Sequence, residues 1–486
     1  IGMERRRSFH WSASLHQERE GAVVALSLAA GELAVKGQIY RGEPSAIASG
    51  LSSTDSREIS LGDIFFAKLG ANDNGHRFLA EVSSKGAALA VVSEPSDSVK
   101  INQIVVEDTV EALSALAADV LARVRSRVSL TVIGITGSNG KTSTKNMLAE
   151  ILKPVAPTVA PKGSYNNKVG LPTTVLRIDF DTRYLVLEYG AAGPGSISKL
   201  AEWSKPDLSV ILKVGLAHAG VFGGIEETAK IKAELVQHTS KHVVLNFDDP
   251  IVRDYRPAAG VSFSGFGFDS SANTRITDTD ISLEGTVVNL QIGKSDSEVL
   301  RLNILGEHQA MNAAAALEVS EFLGLDRVQS FEALEKMELA ERWRMQLTKT
   351  TEGIYVINDA YNASPDSMRA ALQTLATIGR SGHRTIAVLG SMAELGEISD
   401  QEHRSLGLLL VRYNIDKLIV VGHDAKILHL SATAEGSWDG ESEFFGSVDA
   451  ALPAIRGMLL TGDVVLVKSS NVSGLRFLGD DLAGVT

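Results

Sequence analysis

The fold class is decided by the stretch Gly134-Ile135-Thr136-Gly137-Ser138-Asn139-Gly140-Lys141-Thr142. It follows a buried β run at 130–135 and opens a helix in which apolar residues recur at helical spacing from Met147 to Leu152. A glycine loop between a strand and a helix is the setting of a phosphate-binding loop. Glycines let backbone N–H groups converge on phosphate oxygens, and the N-terminus of the helix adds favourable partial charge.

This loop predicts nucleotide binding. Lys141 can reach the β and γ phosphates, and the Thr142 hydroxyl can ligate Mg²⁺. A strict P-loop needs glycine at position 135, where this chain has Ile135, so a glycine-rich turn without a ligand is the alternative. The loop alone leaves GTPase, kinase, ATPase and ligase open. The ATP-binding residues predicted in it are Gly137, Ser138, Asn139, Gly140, Lys141, Thr142 and Ser143.

Apolar periodicity divides the rest of the chain into parts. Short strand-like runs and a helix predicted at 110–124 precede the phosphate loop. After it, strands alternate with helices, which predicts a mostly parallel sheet covered on both faces, whereas 262–302 is more typical of antiparallel hairpins. From Arg344 onward the alternation resumes and predicts a second, Rossmann-like sheet. The predicted strands are 63–67, 88–92, 103–106, 184–187, 208–212, 243–245, 354–357, 385–389, 418–421 and 464–467.

Length and composition limit the number of domains and the kinds of partner and site that the protein can have. With 486 residues the chain has room for about three domains. A formal net charge of −12 argues against a nucleic-acid partner, and the absence of cysteine excludes disulfides and thiolate zinc sites. Arg5–Arg7 precede an apolar stretch, but mixed charge flanks it closely and no apolar run approaches membrane-spanning length. We therefore expect a cytoplasmic protein without membrane insertion, and nothing in the sequence requires more than a monomer.

Three further residues are candidates for a metal site. Glu188 ends a predicted strand, and in an open parallel sheet this edge faces the ligand, so its carboxylate can hold Mg²⁺ against the phosphates. An ordinary strand-end acid is the alternative. By themselves, His218 is more typical of a structural histidine, and Lys232 of a solvated helix face.

Several motifs occur in the same order as in a known family. The phosphate loop resembles the G-x-T-G-x-N-G-K-T loop of the Mur ligase family. The chain is most similar to the members that add D-alanyl-D-alanine, and the resemblance runs from about Leu26 to about Lys468. The stretches that carry it are Lys162-Gly163-Ser164-Tyr165-Asn166-Asn167-Lys168-Val169-Gly170-Leu171-Pro172, Asn358-Asp359-Ala360-Tyr361-Asn362-Ala363-Ser364-Pro365-Asp366-Ser367-Met368 and Val388-Leu389-Gly390-Ser391-Met392-Ala393-Glu394-Leu395-Gly396-Glu397.

The resemblance implies an α/β chain with three domains. These are a UDP-sugar-binding domain at 23–127 after an N-terminal extension at 1–22, a P-loop ATP-binding domain at 128–343 and a Rossmann-like C-terminal domain at 344–486. It also implies the reaction of peptidoglycan precursor synthesis, in which ATP converts a carboxylate of a UDP-N-acetylmuramoyl-tripeptide to an acyl phosphate. The amine of D-alanyl-D-alanine then displaces phosphate to give the pentapeptide.

The resemblance also implies roles for individual residues. Thr142 and Glu188 would hold one Mg²⁺, His218 would help hold a second, and Lys232 would be the lysine that relatives carry carbamylated. Lys141, His218 and Lys232 would be the catalytic residues, and Asn312, Arg344 and Asp359 would contact ATP. The residues implied for the other substrates are Ser56 and Arg57 at the uridine, Asn166 and Asn167 at the muramoyl portion, and Asn362 and Pro365 near the dipeptide.

This chain departs from the family pattern at a few positions. Ser164 stands where asparagine is usual, and Ser391 where an acid is common. Lys213 and Leu216 replace Asn and Pro before the histidine, and Lys468-Ser469-Ser470-Asn471 replaces Lys-Gly-Ser-Arg. The loss of that arginine removes a bidentate anion contact at this position.

Two alternatives remain. A sister ligase could add the third peptide residue or extend folate polyglutamate, but the Asp-Asn-Pro motif of the first is absent, and folate ligases lack the segment at 358–362 as it stands here. A nucleotide-dependent switch would need no second metal site, and the set Glu188, His218 and Lys232 argues against it. ADP release that requires both tripeptide and dipeptide separates the two classes.

Overall fold

The structure is a computed structural model that describes residues 23–70, 73–217, 219–338, 341–435 and 441–485. The predicted extension at 1–22 and His218 therefore lie outside the described residues. The chain forms two compact units, one of residues 1–130 with 168–183 and a larger one of residues 131–167 with 184–486. In the ranges given above, no helix combines the length and the apolar character needed to cross a bilayer.

The N-terminal unit contains a five-stranded sheet, whose edge pair is antiparallel and whose other pairs are parallel. A two-stranded antiparallel ribbon, Leu26–Ser27 with Ile47–Ala48, stands apart from it. The strands in spatial order are Gln38–Arg41, Asn102–Val105, Leu89–Val92, Ile64–Phe66 and Ser52–Ser53. The helices are Leu28–Val35, Leu79–Ser84, Thr109–Arg125 and Gly170–Val175, with 3-10 turns at Ser56–Glu58 and Gly75–Phe78.

The helix predicted at 110–124 is observed as Thr109–Arg125. It begins where the Asp108 side chain accepts hydrogen bonds from the backbone N–H groups of Val110 and Glu111, which satisfies two donors that a helix start leaves unpaired. Leu113, Leu116 and the other apolar residues at helical spacing are buried. Capping and periodicity thus agree, and the helix packs against Gly170–Val175 of the same unit.

The larger unit contains a nine-stranded sheet that carries the phosphate loop. Pairing is parallel from Thr158–Val159 through to Thr274–Ser282 and antiparallel for the two remaining pairs. The strands in spatial order are Glu298–Leu302, Gly285–Ile292, Thr274–Ser282, Ser262–Gly267, His242–Asn246, Leu208–Ile211, Thr131–Thr136, Tyr184–Glu188 and Thr158–Val159. The helices of this part are Lys141–Leu152, Ser196–Ser204, Ala219–Phe222, Ile225–Gln237, Glu307–Phe322 and Arg327–Glu335, with a 3-10 turn at Val252–Asp254.

One prediction for this sheet is confirmed only from residue 274 onward. The stretch 262–302 was expected to form antiparallel hairpins, but Ser262–Gly267 continues the parallel sheet beside His242–Asn246, and Thr274–Ser282 is parallel to it. Only the last two strand pairs are antiparallel. Side chains alternate between faces with a period of two in either arrangement, so the local pattern does not reveal strand direction.

The last third of the chain forms a six-stranded sheet with helices on both faces. Its first strand pair is antiparallel and the others are parallel. The strands in spatial order are Gln346–Lys349, Tyr355–Asn358, Val464–Lys468, Thr385–Leu389, Lys417–Val421 and Ser442–Phe445. The helices are Pro365–Gly379, Ser399–Arg412, Lys426–Thr433, Val448–Met458 and Leu475–Ala483, with 3-10 turns at Gly396–Ile398, His423–Ala425 and Asn471–Ser473.

Two hydrophobic cores flank this six-stranded sheet, one on each face. Ala387 and Leu389 belong to the core under the first three of these helices, whereas Ile386 and Val388 belong to the core under the last two. Successive residues of one strand therefore feed opposite cores, which is why these strands are continuous apolar runs. The predicted doubly wound arrangement is confirmed.

Candidate active site

The phosphate loop lies between the strand Thr131–Thr136 and the helix Lys141–Leu152, as predicted. Gly140 adopts a left-handed backbone conformation with φ 85°. A Cβ atom at this position would lie 2.4 Å from Oδ1 of Asn312, so both the backbone and the close approach of Asn312 require glycine. The Asn312 side chain also accepts a hydrogen bond from Thr144 Oγ1 at 3.3 Å and donates one to Gln309 at 3.0 Å.

The side chain of Lys141 folds back over the loop. Its Nζ donates a hydrogen bond to the carbonyl oxygen of Gly137 at 2.8 Å. Burial lowers the pKa of Lys141, and Arg344 lowers it further, whereas the Glu188 carboxylate acts in the opposite direction. Glu188 is therefore the anion that faces this lysine within the loop.

Glu188 ends the strand Tyr184–Glu188 and is almost fully buried. Its Oε2 accepts a hydrogen bond from Thr142 Oγ1 at 3.0 Å, and its Oε1 accepts one from Asn166 Nδ2 at 2.8 Å. Within the described ranges, no group of three or more histidine, aspartate or glutamate side chains is arranged to hold a metal ion. A hydroxyl beside a carboxylate nevertheless fits Mg²⁺, which usually takes one or two protein ligands and completes its shell with phosphate oxygens and water.

Lys232, which was predicted from the resemblance alone, is buried in the helix Ile225–Gln237 with 3% of its surface exposed. Burial lowers its pKa well below the ordinary value, and the charge of Lys141 lowers it further. The solvated helix face that the sequence indicates is present at Lys230, which is exposed and pairs with Glu227. Lys232 does not belong to that face. Burial therefore favours the neutral form of this amine.

Arg344 extends from the C-terminal part of the chain to the phosphate loop. Its Nη2 donates to Ser164 Oγ at 3.1 Å and lies 3.4 Å from Thr142 Oγ1. The guanidinium lies 4.4 Å from the centroid of the Tyr361 ring. A cation from a distant part of the chain thus reaches the predicted metal and phosphate residues.

Asp359 is held on both of its carboxylate oxygens. Oδ2 pairs with the buried Lys468 ammonium at 2.5 Å, and Oδ1 accepts a hydrogen bond from the Met345 N–H at 3.0 Å. Lys468 also donates to the carbonyl oxygen of Asn362 at 3.1 Å. The side chain of Asn362 is exposed, whereas Pro365 is buried at the start of the helix Pro365–Gly379.

These parts surround one cavity of about 580 Å³, a size typical of small-molecule sites. Three buried side-chain nitrogens on its lining residues have no hydrogen-bond partner among the described residues, namely Asn139 Nδ2, His308 Nδ1 and Arg344 Nε. Buried polar atoms are rarely left unpaired, so the cavity is suited to a polar ligand. The predicted residues that line it are Ser138, Asn139, Gly140, Lys141, Thr142, Ser143, Asn166, Glu188, Asn312, Arg344, Asp359 and Asn362.

Other predicted residues do not line this cavity. Gly137, Asn167, Lys232 and Pro365 belong to the same unit but not to the lining. Ser56 and Arg57 lie in the N-terminal unit, where Asp55 caps the 3-10 turn Ser56–Glu58 and pairs with Arg57. Asp and Ser commonly form such turns without any ligand, and the Arg57 side chain remains 86% exposed.

The structure adds residues that were not selected from the sequence. Ser164 Oγ lies 3.0 Å from Thr142 Oγ1, so this departure from the family pattern sits beside the predicted metal ligand. His308 lines the cavity, and burial lowers its pKa to about 4, which leaves the ring neutral at pH 7. His308 was not among the predicted site residues, and no local pattern pointed to the contact of Ser164.

Four other departing residues have hydrogen-bond or ion-pair partners. Lys213 forms a 3.0 Å ion pair with Asp366, whose other carboxylate oxygen accepts a hydrogen bond from the Leu216 N–H. Ser391 Oγ lies 3.0 Å from Ser473 Oγ, and the side-chain oxygen of Asn471 accepts a hydrogen bond from Arg476. A serine–serine hydrogen bond therefore stands where the family pattern has an acid, and an asparagine that accepts from Arg476 stands where it has an arginine.

Lys145 supports the loop that carries Ser164. Its side chain is 1% exposed, and Nζ donates to the carbonyl oxygens of Pro161 at 2.7 Å and Gly163 at 3.2 Å. Burial lowers the pKa of Lys145 from 10.5 to about 8. Between these values the unfolded chain binds the extra proton, so this group makes stability rise with pH across that window.

A Lys145→Met variant tests this linkage. We expect the unfolding temperature of the wild type, measured relative to that of Lys145→Met, to rise between pH 8 and pH 10.5, equivalent to at most about 3 kcal/mol. Differential scanning calorimetry across this range measures the effect. Lys153→Met is the matched control, because Lys153 ends the same helix but is exposed. Parallel pH profiles for wild type and Lys145→Met would contradict a lowered pKa.

Comparisons with known proteins agree with this geometry. Three family models match the chain: the catalytic domain of the Mur ligase family at residues 51–120, the Mur ligase middle domain at 135–320 and the Mur ligase glutamate ligase domain at 343–471. The chain is 39% identical to the UDP-N-acetylmuramoyl-tripeptide--D-alanyl-D-alanine ligase of Mycobacterium bovis, over 89% of this chain and 92% of that protein.

Solved structures give the same result. A crystal structure of MurF from Acinetobacter baumannii matches with a TM-score of 0.85 and 29% identity, over 95% of this chain and 99% of the other. MurF ligase from Thermotoga maritima in complex with ADP matches with a TM-score of 0.76 and 27% identity, over 90% of this chain and 97% of the other. Identity at this level across nearly the whole length shows common ancestry, and the chain belongs to the Mur ligase family.

Proposed function

We propose that this protein joins D-alanyl-D-alanine to a UDP-N-acetylmuramoyl-tripeptide at the expense of ATP, forming the pentapeptide precursor of peptidoglycan. The observation that carries the proposal is the single cavity in which the phosphate loop, the Thr142–Glu188 pair and Arg344 meet. The name of the Mycobacterium bovis relative supports the choice of substrates.

The reaction needs two displacements. A carboxylate oxygen of the tripeptide bonds to the γ-phosphorus of ATP as the bond from that phosphorus to the β–γ bridging oxygen breaks, which yields an acyl phosphate and ADP. The amine nitrogen of the dipeptide then bonds to the acyl carbon, phosphate leaves with the electron pair of the C–O bond, and the amine gives up a proton. A carboxylate is a poor acyl donor, so phosphorylation supplies the leaving group that amide formation requires.

The protein's contribution is positioning and charge neutralisation. In the proposal, backbone N–H groups of the loop around Gly140 hold phosphate oxygens, and Lys141 neutralises charge on the β and γ phosphates. Arg344 adds a second cation, which reaches the phosphate loop from the C-terminal part of the chain. Together they place positive charge where negative charge accumulates as the γ-phosphoryl group is transferred.

Thr142 and Glu188 are the residues we propose to hold Mg²⁺. Their oxygens are 3.0 Å apart, and the Asn166 amide fixes the other oxygen of the carboxylate. When bound, the ion would neutralise phosphate charge and polarise the γ-phosphoryl group. The proposed second Mg²⁺ would involve His218 and Lys232.

For Lys232 we propose carbamylation. The neutral amine bonds to the carbon of CO₂ and releases one proton, which gives an anionic carbamate with two oxygen donors. Its lowered pKa favours this chemistry because only the neutral amine reacts, and an anion there would face Lys141 favourably. An ammonium group would instead repel a metal ion.

The remaining assignments complete the proposal. Asn312 would contact the adenine, the unpaired Nδ1 of His308 marks the same wall of the cavity, and Asp359 would meet the ribose and phosphates. Ser56 and Arg57 would bind uridine, Asn166 and Asn167 the muramoyl portion, and Asn362 and Pro365 the dipeptide. We further propose a monomer, placed in the cytoplasm where ATP is supplied, whose larger unit divides near residue 343 into a nucleotide-binding and a C-terminal domain.

ADP release tests the whole proposal. Purified protein is given Mg-ATP and UDP-N-acetylmuramoyl-tripeptide, with and without D-alanyl-D-alanine. We expect strong dependence on the dipeptide and a pentapeptide product by mass spectrometry. Activity with another amine but not with D-alanyl-D-alanine would indicate a sister ligase. Nucleotide hydrolysis that needs neither substrate would indicate a switch.

A further inference from the structure

The segment that carries Arg344 has an unusual backbone. Trp343 and Met345, on either side of Arg344, adopt left-handed conformations with φ 59° and φ 50°. Bulky residues rarely occupy this region, and they do so only where the surrounding structure compels them. Something must therefore hold this segment in place.

The C-terminal helix Leu475–Ala483 supplies one set of these contacts, beside the backbone contacts of Trp343 with Gln346 and Tyr361. The buried Asp480 carboxylate accepts a hydrogen bond from the indole N–H of Trp343, with N···O distances of 3.0 and 2.9 Å to its two oxygens. It also accepts from Arg342 Nη2 at 3.0 Å and from Asn358 Nδ2 at 3.1 Å. Asp480 thus ties this helix to the residue immediately before Arg344 and to the end of the strand Tyr355–Asn358.

The result of this restraint is seen at the phosphate loop. With Trp343 held by Asp480 and the Met345 N–H held by Asp359, the backbone of Arg344 is fixed on both sides. Its guanidinium then lies over Tyr361 and reaches Ser164. A flexible arginine would lose conformational entropy on binding phosphate, and a preorganised one loses less.

We propose that Asp480 is a positioning residue for the phosphate site: it holds Trp343 and, through the shared backbone, the guanidinium of Arg344. The inference rests on the proposed function, because it assumes that Arg344 acts on ATP. Asp480 itself lies outside the cavity and touches no substrate in this scheme. Its action is therefore transmitted and should vanish when Arg344 is absent.

Four variants test the proposal: Asp480→Asn, Trp343→Phe, Arg344→Ala and the double variant Asp480→Asn/Arg344→Ala. We expect Asp480→Asn to raise KM for ATP about tenfold, with KM for the UDP-linked substrate unchanged. Trp343→Phe keeps an aromatic ring but removes the indole N–H, and it should also raise KM for ATP. In the Arg344→Ala background, Asp480→Asn should change KM for ATP by less than about twofold.

Asp481→Asn is the matched control, because Asp481 neighbours Asp480 on the same helix and, among the residues that the structure describes, is contacted at its backbone oxygen by Arg456 rather than at its carboxylate. It should behave as wild type. Thermal unfolding of each variant detects a global loss of structure, and Trp343→Phe tests the same link if Asp480→Asn fails to fold. The proposal is overturned if Asp480→Asn raises both KM values equally, leaves KM for ATP unchanged, or acts as strongly without Arg344.

The dissociation constant of ADP, measured by calorimetry, separates this proposal from the proposed function. Wild type that binds ADP but shows no dipeptide-dependent ADP release would refute the ligase assignment. In that case Asp480→Asn should still weaken ADP binding if Asp480 positions Arg344. An unchanged dissociation constant for Asp480→Asn would overturn the positioning role, whatever the reaction.

Discussion

Lys141→Ala is expected to lower turnover by about 10³-fold or more while leaving the affinity for the UDP-linked substrate unchanged. Lys141 is the cation of the phosphate loop, and its Nζ already lies over the loop backbone at Gly137. Alanine removes the charge that neutralises the transferred phosphoryl group, whereas the residues proposed to bind uridine, Ser56 and Arg57, lie in the other unit. Steady-state ADP release and calorimetric binding of the UDP-linked substrate measure the two quantities.

Lys153→Ala is the matched control for this experiment. Lys153 is the C-cap residue of the same helix, 56% exposed and paired with Glu150. Its replacement should leave turnover and binding close to those of wild type. Equal loss of turnover and UDP-substrate affinity in Lys141→Ala would contradict the assignment of the two functions to different parts of the chain, and near-normal turnover would remove Lys141 from the phosphate site.

Lys232→Met is expected to lower kcat by on the order of 10²-fold. Methionine has a similar length and no charge, so the fold should tolerate it at this buried position. It cannot form a carbamate, and the proposed second metal would lose a ligand. Lys230→Met, two positions earlier on the same helix but 70% exposed, should retain full activity.

The chemistry at Lys232 has a direct readout. After incubation with ¹³C-bicarbonate, wild type and Lys230→Met should show a carbamate carbon by NMR, and Lys232→Met should not. Wild type in CO₂-depleted buffer should lose activity and regain it when bicarbonate is added. A wild type with no carbamate signal and full activity without CO₂ would refute carbamylation, even if Lys232→Met were inactive.

Much of the fold follows from local pattern. The strands predicted at 184–187, 385–389 and 464–467 are observed within a residue of those limits, because buried parallel strands form continuous apolar runs. The phosphate loop was predicted equally well, because its tight turn and the close approach of Asn312 require glycine at position 140. By contrast, the parallel direction of Ser262–Gly267 was missed, because alternating side chains look the same in either direction.

The candidate site was predicted in part. The strand-end position predicted Glu188, the resemblance implied Arg344, and the structure places both on one cavity. It did not identify Ser164 as the residue that joins Thr142 to Arg344, nor the support that Lys145 gives to that loop. A serine next to a tyrosine is common, and so is a lysine within a helix. Nothing in the local sequence therefore distinguishes Ser164 or Lys145.

The amino-acid sequence by itself determined the alternation of strands and helices, the phosphate loop and the family. These depend on residues that are neighbours along the chain, where periodicity and turn chemistry act directly. Only the tertiary structure decided which residues meet across the cavity and that Asp480, 137 positions away from Trp343, restrains the segment of Arg344. Such contacts arise from the packing of two sheets and their helices, and a hydrogen bond between distant residues leaves no mark on the pattern of either segment.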